Sequence, residues 1–249
     1  MIGAHRLSLR FDAELLLRDV RAIEARAAWL DHWVGKGEWR VIPLVSSDGD
    51  HREFDSIHFK SGVGKPTELL ASAPHLAAAI AAFRAPVLHA RLSRLAPHTS
   101  IHPHRDFGYY GDQRFSFERG FVRVHVPILS DDQARWYLAG RRVEMQPGET
   151  WYLNVCQTHS VDNASDRERI HLVLDVEVND WLRELFPPES WWDTVRGIVL
   201  RRFERPLWRL VKPFSGGVRK RRSRDLPTAR EEISAPERED RAQRPVRDS

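Results

Sequence analysis

The chain reads as a mainly β protein with flanking helices, built on a double-stranded β-helix of the jelly-roll type. Three observations predict this. From about residue 87 to 178, short strand-like runs alternate with turns at the spacing of a sandwich or barrel. Ahead of that region lie two stretches with helical apolar periodicity, placed to pack on the outside of such a barrel. Hydrophobic residues make up 41% of the 249, enough for a real core.

The elements follow in order. "HRLSLRF" alternates like an opening strand, and "DAELLLRDVRAIEARAAWL" has helical apolar spacing behind Asp12 as N-cap. "GEWRVIPLV" reads as a strand after a turn. "TELLASAPHLAAAIAAFRAP" reads as helical, interrupted near Pro74 and closed before Pro86. Then come the strands "VLHARLSRLA", "SIHPHRDF" and "FVRVHVPIL", the last two separated by the loop "GYYGDQRFSFERG". "ARWYLAG" and "RRVEMQ" form a hairpin across Ala139-Gly140, "PGE" turns into "TWYLNV", and "RERIHLVLDVEV" is the final strand. This pattern divides the chain into N-terminal strands and helices packing on the barrel (1–86) and a cupin-like double-stranded β-helix (87–185). A basic amphipathic helical segment (186–213) and a disordered charged tail (214–249) follow.

Composition narrows the setting. The single cysteine, Cys156, excludes an internal disulfide framework and fits a reducing compartment. No apolar run approaches a membrane span, and the charged N-terminal stretch lacks a signal-peptide core, so a cytoplasmic, soluble protein is expected. The formal charge of +4 is modest, and much of the arginine lies near the C-terminus, so no nucleic-acid partner is expected of the core. Weak contact of 186–213 with an anionic membrane surface is the alternative to extra helices packed on the barrel.

The stretch "SIHPHRDF" places His102, His104 and Asp106 at alternating positions, which on a strand share one face. His104-x-Asp106 supplies two ligands. A histidine from a distant strand end completes a 2-His-1-carboxylate triad, and His159 in "NVCQTHSVDN" is placed for it. Three donors on one side of the ion suit non-haem Fe(II), which takes a co-substrate and oxygen on its other side. With 12 histidines, one H-x-D is weak by itself. Arg169, ten residues after His159 at the start of "RIHLVLD", adds weight: a buried arginine needs an anion, and its fork grips a carboxylate best. A carboxylate co-substrate beside iron points to 2-oxoglutarate. In "FVRVHVPIL", Val122, Val124 and Val126 share one face, and Arg123 and His125 share the other, read as the lumen.

These motifs resemble the aspartyl/asparaginyl β-hydroxylase family, whose bacterial relatives include free-proline hydroxylases. The resemblance runs in order through "GEWRVIPL", "RLSRLAPHTSIHPHRD", "RVHVPI", "MQPGETWYLNVCQTHSVDN" and "DRERIHLVLDV", over roughly residues 35 to 185. It implies Fe(II), 2-oxoglutarate and O2. By position it implies His104, Asp106 and His159 as catalytic metal ligands and Arg169 and Ser93 for the far carboxylate of the co-substrate. Arg123 and His125 fall near the other end of the co-substrate, and Trp39 falls in the same pocket. The expected reaction is hydroxylation of an unactivated carbon in an amino acid, small metabolite or peptidyl Asp/Asn-type residue, with succinate and CO2 as co-products.

Substrate contacts are expected from His102 at the pocket rim and from Tyr109, Tyr110, Arg114 and Arg119 in the Gly- and Tyr-containing loop, a candidate lid. Trp136 and Trp151 read as core. Two other classes stay open: a cupin-like barrel that only binds or senses a ligand, and a zinc hydrolase using the same three donors, which would give Arg169 no task. A Cys156–His159 nucleophilic pair is poorly placed, because His159 is already a ligand.

Overall fold

A computed structural model describes residues 3–32, 38–52, 63–106, 117 and 120–187, all within the compact unit Met1–Arg196. Tyr109, Tyr110, Arg114 and Arg119, the amphipathic segment beyond Pro187 and the charged tail lie outside the described residues.

The chain opens with β1 (Ala4–Arg10) and α1 (Ala13–Glu24). Asp12 caps α1, its carboxylate accepting from the amides of Glu14 and Leu15 at 2.9 and 3.1 Å. Helical spacing continues to Leu30 in the sequence, yet the helix ends at Glu24. Leu30–Asp31 instead forms β2 and pairs with Val41 and Arg40, so tertiary pairing overrides the propensity of the alanine-rich stretch. Next come β3 (Trp39–Ser46), β4 (Lys65–Pro66), a 3-10 turn (Glu68–Ser72) and α2 (Pro74–Ala81), with Pro74 in its first turn. The N-terminus of α2 is capped from α1: the Asp19 carboxylate accepts from the amides of His75 and Leu76 at 2.6 and 2.8 Å.

The remaining elements are β5 (Val87–Leu95), β6 (Thr99–His104), β7 (Phe121–Leu129), β8 (Ala134–Leu138) and β9 (Arg141–Val143), then β10 (Glu149–Leu153), β11 (His159–Asn163), β12 (Arg169–Glu177) and α3 (Asp180–Glu184). The β11 strand has little apolar content and carries no strand signal in its sequence; pairing with β6 and β8 on its two sides makes it one.

Two sheets form a double-stranded β-helix. The larger has eight strands, ordered β1-β10-β7-β12-β5-β3-β2 with β4 on β3, and the smaller is β6-β11-β8-β9. Both β1 and β3 are thus integral strands of the large sheet. The opening of β10 comes close to the end of β1: Phe11 N–H donates to Gly148 O at 2.9 Å, and Gly148 has φ of +80°.

The two faces of the large sheet carry opposite chemistry. On the outer face Leu92, Val122, Val124, Val126, Ile170, Leu172, Leu174 and Val176 pack against Leu16, Val20 and Ile23 of α1 and Leu76, Ala79 and Ile80 of α2. Fully burying each such side chain contributes about 1.5–3 kcal/mol. On the face turned to the small sheet, the alternate positions include His89, Arg91 and Ser93 of β5, Arg123 and His125 of β7, and Arg169, His171 and Asp175 of β12, every one buried. A second apolar cluster, with Leu95, Trp136, Leu138, Leu153, Val155 and Val161, joins the sheets beside them. Buried polar groups on this scale are unfavourable for stability alone. The lumen is therefore a site.

Candidate metal centre and co-substrate pocket

His104 closes β6 and His159 opens β11, and the two residues face each other across that antiparallel pair. Their ring centroids lie 4.2 Å apart. Asp106 follows two residues past His104, tied to the small sheet's connection by Asp106 N–H donating to Val155 O at 2.9 Å. The three side chains each offer a ligand atom within 4.8 Å of the others. Asp106 Oδ1 is 3.4 Å from His104 Nε2 and 3.9 Å from His159 Nε2.

The tautomers follow from the contacts. His104 Nδ1 lies 2.7 Å from His102 O, and His159 Nδ1 lies 3.0 Å from Gln157 O. A carbonyl only accepts, so both Nδ1 atoms carry a proton and both Nε2 atoms face Asp106. Backbone-braced imidazoles of this kind are the usual support of metal-bound histidine. Burial lowers the His159 imidazole to about 4, so it stays neutral, as a ligand must. Trp136 stacks on His159, centroids 5.1 Å apart and planes 3° from parallel, so a residue read as core also orients one of the candidate donors. The His102 imidazole is exposed; its carbonyl, not its ring, serves the cluster.

The outer oxygen of Asp106, Oδ2, accepts from Arg123 Nη1. Arg123 is held from behind by Asp175, with Nε and Nη2 donating to the two carboxylate oxygens at 2.6 and 2.9 Å. Arg91 Nη1 reaches the same carboxylate at 3.3 Å. Arg123 and Asp175 are direct cross-strand partners between β7 and β12, which is why they meet. Burial works to raise the Asp175 carboxyl. The Arg123 and Arg91 guanidiniums outweigh it and hold the group well below the usual carboxylate range.

Arg169, 4% exposed, opens β12, its Nη2 donating to His171 Nδ1 at 2.8 Å. Among the described residues no carboxylate pairs with it, and burial alone lowers its pKa to about 9. Close by, neither ring nitrogen of His125 has a hydrogen-bond partner among the described residues. Burial, and after it the charges of Arg169 and Arg123, keep this imidazole neutral. Ser93 Oγ accepts from Trp39 Nε1 at 2.9 Å, which brings that pair to the same wall. An unpaired buried guanidinium and an unsatisfied buried imidazole together fit a carboxylate-bearing ligand.

Sequence reasoning missed several wall residues. Arg91, Asp175 and His171 carry the same alternation that singled out Arg123 and His125: "LHARLSR" puts polar groups on every second position, and "RIHLVLDV" does so except at Val173. His32 left no signal. It is buried after β2, stacked on Trp39 at 3.5 Å, and burial, then Arg91, lowers it to about 3.

The comparisons fit this geometry. An aspartyl/asparaginyl β-hydroxylase family model matches residues 6–178. L-proline cis-3-hydroxylase 2 of a Streptomyces species is 27% identical over 141 residues, 56% of this chain and 47% of that protein. L-proline cis-4-hydroxylase of Rhizobium meliloti (strain 1021) is 24% identical over 196 residues, 75% of this chain and 66% of that protein. The chain thus spans about half to two thirds of the length of these two relatives. Among solved structures, an oxidoreductase of the 2OG-Fe(II) oxygenase family from Burkholderia pseudomallei aligns with TM-score 0.45 and 17% identity, over 71% of this chain and 85% of that one. With the family model covering more than half of its length, the chain belongs to the aspartyl/asparaginyl β-hydroxylase family.

Proposed function

We propose that the protein is an Fe(II)- and 2-oxoglutarate-dependent dioxygenase that hydroxylates an unactivated carbon of a free amino acid or similar small molecule. One observation carries this reading: a His104–Asp106–His159 donor set shares a buried lumen with Arg169, a guanidinium with no carboxylate partner among the described residues. A zinc hydrolase would use the donors and leave Arg169 without a task.

When bound, Fe(II) and 2-oxoglutarate would supply the oxidant for the C–H bond, and O2 and 2-oxoglutarate would be converted to the product hydroxyl, succinate and CO2. His104 and His159 hold the metal through Nε2 and Asp106 through a carboxylate oxygen. Arg169 takes the far carboxylate of the co-substrate, with Ser93 and its partner Trp39 on the same wall. His125 and Arg123 serve the near end, where His125 has unused hydrogen-bonding capacity. The apolar cluster of Leu95, Trp136 and Leu153 keeps that end of the lumen dry. The two proline hydroxylases among the relatives support a free amino acid as substrate over a peptide. No helix among the described residues is long and apolar enough to cross a membrane.

The test is anaerobic titration of the protein with Fe(II) and 2-oxoglutarate, followed by its visible charge-transfer band. Oxygen-dependent succinate release is then screened with proline, other free amino acids and short peptides. A band in wild type that weakens in Arg169→Ala, and succinate release stimulated by a free amino acid, are expected. No band in folded, iron-loaded protein would remove the oxygenase reading; stimulation by peptides alone would replace the substrate class.

A further inference from the structure

We propose that Asp175 is a positioning residue for the metal centre: it locks Arg123 so that Arg123 claims Oδ2 of Asp106, and Asp106 binds the ion through Oδ1 alone. This rests on the metal-centre reading above and extends it to a residue outside the donor set.

Three N–H donors of Arg123 are divided between two carboxylates. Nε and Nη2 go to Asp175, and Nη1 goes to Asp106. Asp175 is 1% exposed near the end of β12, the central strand, and is paired there with His89 of β5 and Arg123 of β7, so its carboxylate is an anchor on the sheet. Asp106 is the opposite case. It is partly exposed and lies past the end of β6, where no strand pairing fixes its side chain. With Arg123 fixed behind it, one oxygen is committed and the other lies 3.4 and 3.9 Å from the two imidazole nitrogens. A planar guanidinium fork transmits orientation in a way a lysine ammonium cannot. The same carboxylate also takes Arg91, at 3.3 Å, so it stands between the two guanidiniums on this face.

Co(II) serves as the probe, because its visible absorption reports ligand number and geometry without turnover. Wild type is expected to bind one Co(II), and Asp106→Ala provides the spectrum of a site lacking its carboxylate. Asp175→Asn, folded by circular dichroism, is expected to bind Co(II) at least tenfold more weakly, with a spectrum moved towards that of Asp106→Ala. In an Arg123→Gln background the same Asp175→Asn change is expected to add less than twofold, because its effect runs through Arg123. If Asp175→Asn does not fold, Arg123→Lys decides, since it keeps the charge and loses the fork; the same weakening and spectral change are expected. Wild-type affinity and spectrum in the folded variant, or full additivity in the double variant, would overturn the proposal while leaving the metal centre standing. Failure of wild type to bind Co(II) would overturn both.

Discussion

Arg169 offers the sharpest test, because the structure predicts opposite effects on binding and on stability. Arg169→Met removes the charge and keeps much of the volume. In the ligand-free protein the guanidinium is held at a loss: its shift from 12.5 to about 9 corresponds, at about 1.4 kcal/mol per unit, to a burial cost on the order of 5 kcal/mol. The variant removes that cost and leaves His171 Nδ1 without its donor, a penalty of about 1–3 kcal/mol. Ligand-free Arg169→Met is therefore expected to be at least as stable as wild type. Binding moves the other way. Losing the charged partner of a buried carboxylate costs about 2–5 kcal/mol, roughly 30- to several-thousand-fold in Kd. Thermal melts of Ni(II)-loaded protein with and without 2-oxoglutarate read both effects. Wild type gains about 2.7 kcal/mol at a ligand concentration of 100 Kd, and the variant at the same concentration gains about 0.9 kcal/mol or less. A ligand-free variant destabilised by several kcal/mol, or one with an undiminished ligand response, would refute the assignment of Arg169 as an anion site.

Three further predictions test the scaffold. His32 is neutral in the fold down to about pH 3 and titrates near 6.5 when unfolded, so its part of the stability is complete above pH 6.5 and is lost as pH falls towards 3. In denaturant titrations from pH 7 to 4, His32→Phe is expected to reduce the slope of the acid loss by up to about 1.4 kcal/mol per pH unit; an unchanged slope would show that His32 is not buried neutral. Gly148→Ala would set a Cβ 2.1 Å from Phe11 O at a φ of +80°, and is expected to destabilise by more than about 1 kcal/mol in chemical denaturation. Asp19→Ala uncaps α2 and is expected to cost about 0.5–2 kcal/mol in a thermal melt, with 2-oxoglutarate affinity unchanged because α2 packs on the outer face of the sheet.

Much of this was legible before folding, and the reasons are local. Period-two alternation in "FVRVHVPIL" separates the valines that pack under the helices from Arg123 and His125, which enter the lumen. The alternation is a property of any extended chain, so it survives without knowledge of neighbours. The same signal lay in "LHARLSR" and "RIHLVLDV", and there it pointed to Arg91, His171 and Asp175. The boundaries that misled were those where a distant partner decided. Helix α1 stops at Glu24 because Leu30–Asp31 pairs with β3, and polar β11 is a strand because β6 and β8 flank it.

The sequence by itself determined the strand periodicity, the outer helices and the residue types of the candidate centre: two histidines, a carboxylate and the arginines Arg123 and Arg169. Only the tertiary structure decided who meets whom. Cross-strand register put Asp175 opposite Arg123 and His159 opposite His104, and the short β2–β3 pairing delivered His32 onto Trp39. Register depends on burying one whole face of every strand at once, a condition no single stretch of sequence contains.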